Sequence, residues 1–256
     1  MAMTAAGAGA RAGVAGLYGS QSTGPSYGLV RFNTAPLDGT SARIGSNGGT
    51  GDMDFDSGGL LYAPDFGGLQ RIDTGTGAKT LVGAWGSLGG ALMQSIAFAP
   101  NGTLYAVDYT PNGSRLYTVN KANGHPTLIG AVGSVVFGLE FGPDGTLYGS
   151  AFEVFKISTV TGAKGATVAT GFDSSHPVQA LDYGPDGTWR MIVGEGGLAG
   201  ADLLYELNIS DGSRTLIGAT TETDMRALAS IPGPGVGAAG IAGAVMMALR
   251  RPRGRP

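Results

Sequence analysis

A motif of about 15 residues recurs along this chain at nearly constant spacing. It reads SIAFAPNGTLYAVDY from Ser95, GLEFGPDGTLYGSAF from Gly138 and ALDYGPDGTWRMIVG from Ala180, with weaker copies at Met53 (MDFDSGGLLYAPDF) and Gly16 (GLYGSQ). The copies share an aromatic landmark, which stands at Tyr18, Tyr62, Tyr105, Tyr148 and Trp189. The landmarks are 44, 43, 43 and 41 residues apart. Such a period is typical of repeat folds.

Each repeat divides into four short segments in which apolar and polar residues alternate, which is the period of a β-strand. We name them A to D; in one copy they read SIAFAP, TLYAVD, RLYTVN and TLIGAV. Hairpin turns between A and B are predicted at Asn101-Gly102, Asp144-Gly145 and Asp186-Gly187, because glycine supplies positive φ there. A further glycine marks the turn between C and D, at Gly39, Gly77, Gly124, Gly162 and Gly212. Four strands in about 43 residues match one blade of a β-propeller.

The strand count indicates how the repeats are arranged. Segments B, C and D occur five times, but segment A precedes only the last four sets. A fifth A-like segment, RALASIP, runs from Arg226 to Pro232 after the last set. A ring in which this segment completes the first blade accounts for both facts and removes two exposed sheet edges. We therefore predict an all-β, five-bladed β-propeller of four-stranded blades over residues 16–231; an open β-solenoid or a sandwich is the alternative.

The "PDGTLY" hairpins make the repeats similar to those of NHL and YVTN-type propellers. The resemblance covers most of residues 16–231 and implies an architecture. It does not imply an activity, because propellers of this kind host many functions.

Composition excludes several classes of function. The chain has no cysteine, so disulfides, thiol catalysis and cysteine-based zinc sites are excluded. Its net charge is −3, and four of its 16 basic residues stand at the extreme C-terminus, so the repeats themselves are more acidic than the whole chain. Such a body is not drawn to nucleic acid, and we expect no nucleic-acid partner.

The C-terminal residues 232–256 follow a different pattern. Pro232, Gly233, Pro234 and Gly235 open the segment, residues 235–249 are uncharged, and an arginine cluster closes it at Arg250, Arg251, Arg253 and Arg255. As a helix, the 19 residues from Ile231 to Leu249 would span about 28 Å, which suffices for a hydrocarbon core. We predict a transmembrane helix at 235–249 with its arginines on the cytoplasmic side and the propeller on the other. An ordinary tail anchor or a disordered Gly/Ala tail is the alternative.

This tail resembles the PEP-CTERM sorting signal of bacterial surface proteins, which combines a short proline motif, a hydrophobic helix and a terminal arginine cluster. The resemblance implies export, transient anchoring in the membrane through the helix, and an exosortase-like processing enzyme as a partner. The sequence departs from the family where it reads PGPG instead of Pro-Glu-Pro, which puts the cleavage site in doubt. Residues 1–15 are rich in Ala and Gly and lack a basic start, so we predict the remnant of a signal peptide; a weak signal or a non-exported protein are alternatives.

Catalytic side chains are scarce. The two histidines are His125, in a C–D turn, and His176, which follows Asp173, Ser174 and Ser175 in a D–A connection. This crowding alone provides no triad geometry.

The predicted innermost strands carry Asp54, Glu140 and Asp182 near the central channel. A ring of carboxylates there would suit Ca²⁺, and we name these three as metal-ligand candidates; otherwise we expect no cofactor. The alternative is that they are polar residues on the second face of each strand.

Loops B–C and D–A share one face of a propeller, and that face is the candidate ligand surface. Its residues include Asp65, Phe66, Asp108, Tyr109 and Glu195, together with His176 and Trp85; the tryptophan is either an exposed stacking platform or part of the core. The favoured function is a non-enzymatic, exported surface or matrix propeller that binds a surface polysaccharide or a protein through these loops. The alternative is a secreted hydrolase or lyase that acts on a glycan through the inner-strand carboxylates; a third interpretation is a structural protein without a ligand.

Overall fold

A computed structural model describes residues 16–21, 28–45, 48–88, 91–110, 112–194 and 200–232. These ranges contain 20 β-strands and no helix. None of their segments is therefore a helix long and apolar enough to cross a membrane. Three predictions concern residues outside the described ranges. They are the N-terminal segment 1–15, Glu195, and the tail from Gly233 onward with its helix and arginine cluster.

The strands form five antiparallel sheets of four, which are the blades of a propeller. Blade 1 contains β1 (Leu17–Gln21), β2 (Gly28–Phe32) and β3 (Ser41–Arg43). Blade 2 contains β4 (Asp54–Phe55), β5 (Leu61–Asp65), β6 (Gly68–Ile72) and β7 (Lys79–Ala84). Blade 3 contains β8 (Leu92–Phe98), β9 (Leu104–Tyr109), β10 (Arg115–Val119) and β11 (Pro126–Ala131). Blade 4 contains β12 (Gly138–Phe141), β13 (Leu147–Ser150), β14 (Val154–Ile157) and β15 (Lys164–Ala169). Blade 5 contains β16 (Val178–Tyr183), β17 (Trp189–Val193), β18 (Leu203–Leu207) and β19 (Arg214–Ala219), and the last strand is β20 (Met225–Ser230).

Strand β20 is the fourth strand of blade 1. It pairs antiparallel with β1, so that Leu17 lies opposite Ser230 and Tyr18 opposite Ala229. The Ile231 N–H extends the pairing by donating to the Gly16 carbonyl at 2.9 Å. The predicted five-bladed ring, closed by the C-terminal strand, is therefore confirmed, and the solenoid and sandwich alternatives are wrong.

Consecutive blades meet along contacts that we call seams. In four seams an aromatic side chain of one blade packs on an aromatic side chain of the next, with ring centroids 5.0–5.7 Å apart. The pairs are Tyr18–Phe55, Tyr62–Phe98, Tyr105–Phe141 and Tyr148–Trp189. These landmark residues thus hold the ring together, because such pairs contribute beyond the area that they bury.

The prediction of Trp189 as the fifth landmark is wrong, because the landmark position of the last blade is one residue later. In strand register, Tyr148 lies opposite Glu140, and the residue opposite the equivalent Asp182 is Arg190, not Trp189. Arg190 therefore takes the tyrosine position of the last blade. Its side chain is 2% exposed.

The seam between blades 5 and 1 is consequently polar. Arg190 forms an ion pair with Asp186, and its Nη1 lies 3.9 Å from an oxygen of Asp182. Asp182 in turn bonds to Ser230, which stands where the other seams have a phenylalanine or tyrosine. A buried ionic cluster therefore closes the ring where aromatic contacts close the other seams.

The blades also touch at their outer rims through glycines. Gly83, near the end of β7, packs against the C–D turn of blade 3, and a Cβ at this position would stand 1.7 Å from the Asn123 carbonyl oxygen. Gly130 and Gly218 make the corresponding contacts with Thr161 and Asp38. The high glycine content therefore serves backbone-to-backbone contact between blades as well as turns.

Candidate functional site

The D–A and B–C connections lie at one face of the ring, which we call the upper face. A cavity of about 650 Å³ opens there, near the start of the innermost strands. This upper cavity is lined by Gly48–Gly51, Pro64–Phe66, Lys79, Leu92–Gln94 and Arg226. Its walls come from blades 1, 2 and 3, so a ligand in the cavity would contact three repeats at once.

Asp65 organises the B–C turn of blade 2. One carboxylate oxygen accepts the Phe66 N–H at 2.7 Å, and the other lies 3.2 Å from the Lys79 ammonium. Its backbone carbonyl accepts a hydrogen bond from Trp85 Nε1 at 2.8 Å. The turn is thereby fixed from three sides, and it projects the Phe66 side chain, which is 79% exposed.

Two cations stand at the walls of the upper cavity. The Lys79 ammonium also donates to the Gly49 carbonyl at 2.9 Å, which holds it beside the connection between blades 1 and 2. Arg226 Nε donates to a carboxylate oxygen of Asp224 at 2.6 Å. Asp224 is buried and the Arg226 side chain is 30% exposed, so the ion pair positions the guanidinium while part of it stays accessible to a ligand. Each cation is thus paired with an acid, Lys79 with Asp65 and Arg226 with Asp224, and Arg226 is the more exposed of the two.

Two of the predicted ligand residues, Trp85 and Asp108, are buried in the structure. Trp85 is buried in the core cluster of blades 2 and 3, so the interpretation as an exposed platform is wrong. Asp108 is fully buried, and its oxygens accept bonds from the Arg115 N–H, Arg115 Nε and the Tyr117 hydroxyl, each at 2.8 Å. Burial and the bond to Asp108 raise the pKa of Tyr117 to about 12. Asp108 therefore offers no free oxygen to a ligand.

The other loop candidates stand apart from the upper cavity. Tyr109 is exposed beside Asp108 but does not line the cavity. His176 is also exposed, and its Nδ1 lies 3.2 Å from Asp173, whose carboxylate also accepts the N–H groups of Ser175 and His176. This arrangement is a turn capped by an aspartate, and binding through Tyr109 or His176 stays a prediction.

The inner-strand carboxylates occupy one register position. Asp54, Glu140 and Asp182 lie opposite Tyr62, Tyr148 and Arg190. Asp54 accepts the Phe98 N–H at 2.6 Å, and Asp182 accepts the Ser230 N–H at 2.7 Å, each from the innermost strand of the following blade. These N–H groups belong to sheet edges, which require partners when they are buried. Two of the three acids therefore satisfy the backbone of the neighbouring blade.

The same carboxyls repel one another. Burial raises the pKa of Asp54 to about 7. Burial also raises the pKa of Glu140 well above its usual range, and the charges of Asp54 and Asp182 add to the effect. In the described ranges, no three His, Asp or Glu side chains are grouped so that they could hold a metal ion. Calcium binding by these acids stays a prediction.

Sequence patterns did not reveal Lys79, Arg226 or the Gly48–Gly51 connection as parts of a site. Arg226 stands in the strand that closes the ring, about 160 residues after Asp65 in the chain. The predicted ring closure puts the strand that contains Arg226 into blade 1. In the sequence, only this closure indicates that Arg226 lies near the upper face.

Comparison with known proteins supports the fold alone. The chain matches no protein-family model and no curated protein. It is similar to the structure of a protein of unknown function from Bacteroides caccae, with 11% identity, a TM-score of 0.53, and coverage of 85% of this chain and 99% of that one. A structure from a study of the de novo evolutionary emergence of a symmetrical protein gives 17% identity, a TM-score of 0.54 and coverage of 85% and 99%. The structure of a candidate gluconolactonase is 16% identical to this chain and gives a TM-score of 0.52, with coverage of 77% of this chain and 71% of that one.

Proposed function

We propose that this protein is a non-enzymatic, exported propeller that binds an acidic carbohydrate in the upper cavity. The observation that carries the proposal is the exposed Phe66 ring at the rim of a cavity of about 650 Å³ whose wall also holds Lys79 and Arg226. An aromatic face packs against the apolar face of a sugar ring, and a guanidinium pairs with a carboxylate. The binding of a uronic acid unit would use both.

The surroundings of the cavity support a polar ligand of this size. Cavities of 300–1,000 Å³ are typical of small-ligand sites. Three of the four residues of the Gly48–Gly51 connection that lines the cavity are glycines, so few side chains cover its backbone groups. Hydroxyls of a sugar could pair with these groups while Phe66 covers one face of its ring.

The test is a titration of the protein with an oligogalacturonate in which calorimetry measures the heat of binding. Phe66→Ser removes the exposed ring, and we expect at least a tenfold loss of affinity. Val160→Ser is the matched control, because Val160 is 84% exposed on a turn that does not line the cavity. Neutral galactan oligomers should bind at least tenfold more weakly than the acidic ones. Equal binding of both sugars, or no effect of Phe66→Ser, would contradict the proposal.

Export forms the second part of the proposal, and it rests on the tail sequence. The Pro-Gly motif, the uncharged run 235–249 and the arginine cluster support sorting at the cell surface. The test is cell fractionation together with mass spectrometry of the mature C-terminus. Loss of the residues after about Pro234, with the propeller outside the inner membrane, would support sorting. A cytoplasmic chain that retains Arg255 would contradict it.

A further inference from the structure

A second cavity, of about 600 Å³, lies between blades 4 and 5 at the face of the A–B and C–D turns, which we call the lower face. We name it the blade 4–5 cavity. Three aromatic residues, Tyr148, Tyr183 and Trp189, belong to its lining. Its charged lining residues, Asp144 and Glu206, are both acidic. Aromatic rings beside carboxylates form an environment that suits a cation.

The protein contains an occupied counterpart of this cavity in the seam between blades 2 and 3. There the Lys121 ammonium lies 6.0 Å from the ring centre of Tyr62 and 5.7 Å from that of Phe98. It also bonds to a carboxylate oxygen of Asp56 at 2.9 Å. A lysine from the following blade thus binds the aromatic pair and an acid in the A–B turn.

The C–D turns show which residue replaces Lys121 in blade 5. In blade 3, Asn120 N–H bonds to the His125 carbonyl and Gly124 N–H to the Asn120 carbonyl. Blade 5 repeats this pattern with Asn208, Ser213 and Gly212. The residue after the first asparagine is Lys121 in blade 3 and Ile209 in blade 5. Ile209 lines the blade 4–5 cavity and brings an apolar side chain without an ammonium.

The A–B turn of blade 4 also carries an acid, Asp144, which stands two positions later in the turn than Asp56 does in blade 2. It is exposed, and its oxygens accept the Thr146 N–H at 3.0 Å and the Thr146 hydroxyl at 2.8 Å, which lowers its pKa and keeps it ionised. A Cβ on Gly142 would stand 2.9 Å from Asp144 Oδ1, 3.3 Å from Tyr148 Cε2 and 3.4 Å from Trp189 Cζ2, so the carboxylate lies beside both rings. An anion therefore faces the rings that have no lysine from blade 5 over them.

A basic residue on strand C does not replace this missing lysine. Lys156 lies opposite Tyr148, with its ammonium 6.0 Å from the ring centre. In blade 2, Arg71 lies opposite Tyr62 in the same register, and Lys121 binds that seam nevertheless. Strand C of blade 2 therefore carries a cation at the register position of Lys156, and the seam still admits Lys121 from the next blade.

We propose that the blade 4–5 cavity binds a primary alkylammonium group from outside the chain, in the way that the seam between blades 2 and 3 binds Lys121. Tyr148 and Trp189 would provide the aromatic wall, Ile209 would contact the alkyl chain, and Asp144 would pair with the ammonium. The ligand is a lysine side chain or a free diamine. This site is separate from the upper cavity and does not depend on the proposed carbohydrate ligand.

The first experiment is an NMR titration of the full-length protein that follows the indole N–H of Trp189. The probes are Nα-acetyl-lysine methylamide and the same molecule with an acetylated ε-nitrogen, which has no charge. We expect saturable shifts with the charged probe and at least tenfold weaker binding of the neutral one. Titration with 1,5-diaminopentane identifies the source, since tighter binding of the diamine would indicate a free polyamine and weaker binding a lysine side chain. Equal binding of the charged and neutral probes would overturn the proposal.

Two variants test the site itself. Ile209→Lys supplies the internal ammonium that blade 3 already has, so we expect at least tenfold weaker binding of the charged probe. Thr159→Lys places a lysine at the same turn position of blade 4 and should leave binding unchanged. Asp144→Asn removes the charge but keeps the turn, because Asn101 accepts the Thr103 N–H at 3.0 Å in the equivalent turn of blade 3. We expect about fivefold weaker binding for Asp144→Asn. Unchanged binding in both Ile209→Lys and Asp144→Asn would also overturn the proposal.

Discussion

Asp182 of the last blade accepts two hydrogen bonds from Ser230, which lies 48 residues later in the chain. The Ser230 N–H donates at 2.7 Å and its hydroxyl at 2.6 Å. Because Asp182 is in β16 and Ser230 in β20, these bonds connect blade 5 to the strand that completes blade 1. One buried carboxylate therefore joins the two ends of the repeat array.

Removal of this carboxylate should destabilise the ring strongly. Asp182→Ala leaves the Ser230 N–H without its acceptor and takes one of two acids from the buried Arg190, so we expect a loss of about 3 kcal/mol in the free energy of unfolding. Ser230→Ala removes one hydroxyl and should cost about 1 kcal/mol. Urea denaturation of both variants provides the comparison, and equal losses would show that Arg190 does not depend on Asp182.

An exchange of the polar seam for an aromatic one should be tolerated if the exchange is complete. Arg190→Tyr alone leaves Asp182 and Asp186 buried without their cation, and we expect a loss of about 3 kcal/mol. Adding Ser230→Phe, Asp182→Asn and Asp186→Asn rebuilds the aromatic pair of the other seams, removes both unpaired charges and keeps an acceptor for the backbone N–H of residue 230. Buried ion pairs can be replaced by packed apolar groups at little cost, so thermal unfolding should rank this quadruple variant above Arg190→Tyr. The reverse order would mean that the aromatic pair does not fit at this seam.

Stability should fall as the pH rises from about 4 to 7. The folded-state pKa of Asp54 is about 7, which is above its ordinary value of 3.8. Between these values the folded chain binds a proton that the unfolded chain has released, so the free energy of unfolding decreases by up to about 1.4 kcal/mol per pH unit for this group. Asp54→Asn should flatten the slope in a series of urea titrations. Asp73→Asn should not flatten it, because hydrogen bonds from Thr76 lower the pKa of Asp73.

The rim contacts between blades should not accept a side chain. Gly83→Ala places a methyl group 1.7 Å from the Asn123 carbonyl oxygen, and the backbones of two blades must separate to admit it. We expect a loss of at least 2 kcal/mol. Gly67→Ala is the control, because no atom lies within 4 Å of its added Cβ. Calorimetric melting should therefore distinguish the two variants, and similar melting temperatures would show that the blades separate easily.

The architecture could be predicted because the repeat gives several independent indications of it, namely the strand count, the hairpin glycines and the unpaired segments at the two ends. Hairpin glycines such as Gly145 adopt the positive φ that the turn requires, 77° in this case, and the unpaired strand segments at the two ends identified the closing pair. The landmark of the last blade was misplaced because Trp189 is aromatic and stands beside the true position. The sequence pattern cannot distinguish a shift of one residue from a substitution by Arg190, whereas the pairing with Asp182 can.

The sites were harder to predict, because each depends on residues from different repeats. The upper cavity combines Asp65 with Lys79 and Arg226, and no local spacing relates the three. Asp108 has a carboxylate that could bind a ligand, but its oxygens accept hydrogen bonds from Arg115 and Tyr117. The sequence indicates which loops reach a face of the ring. The contacts of a side chain within a loop depend on the twist of the blades.

The pairing of β20 with β1 also determines the order in which the protein can be completed during translation. Blade 1 is the first to leave the ribosome, but its innermost strand consists of Met225–Ser230. Until that strand is synthesised, β1 has an unpaired edge while four later blades emerge. An open edge of this kind can recruit other chains, so the nascent protein has a long period in which chaperones would be of use.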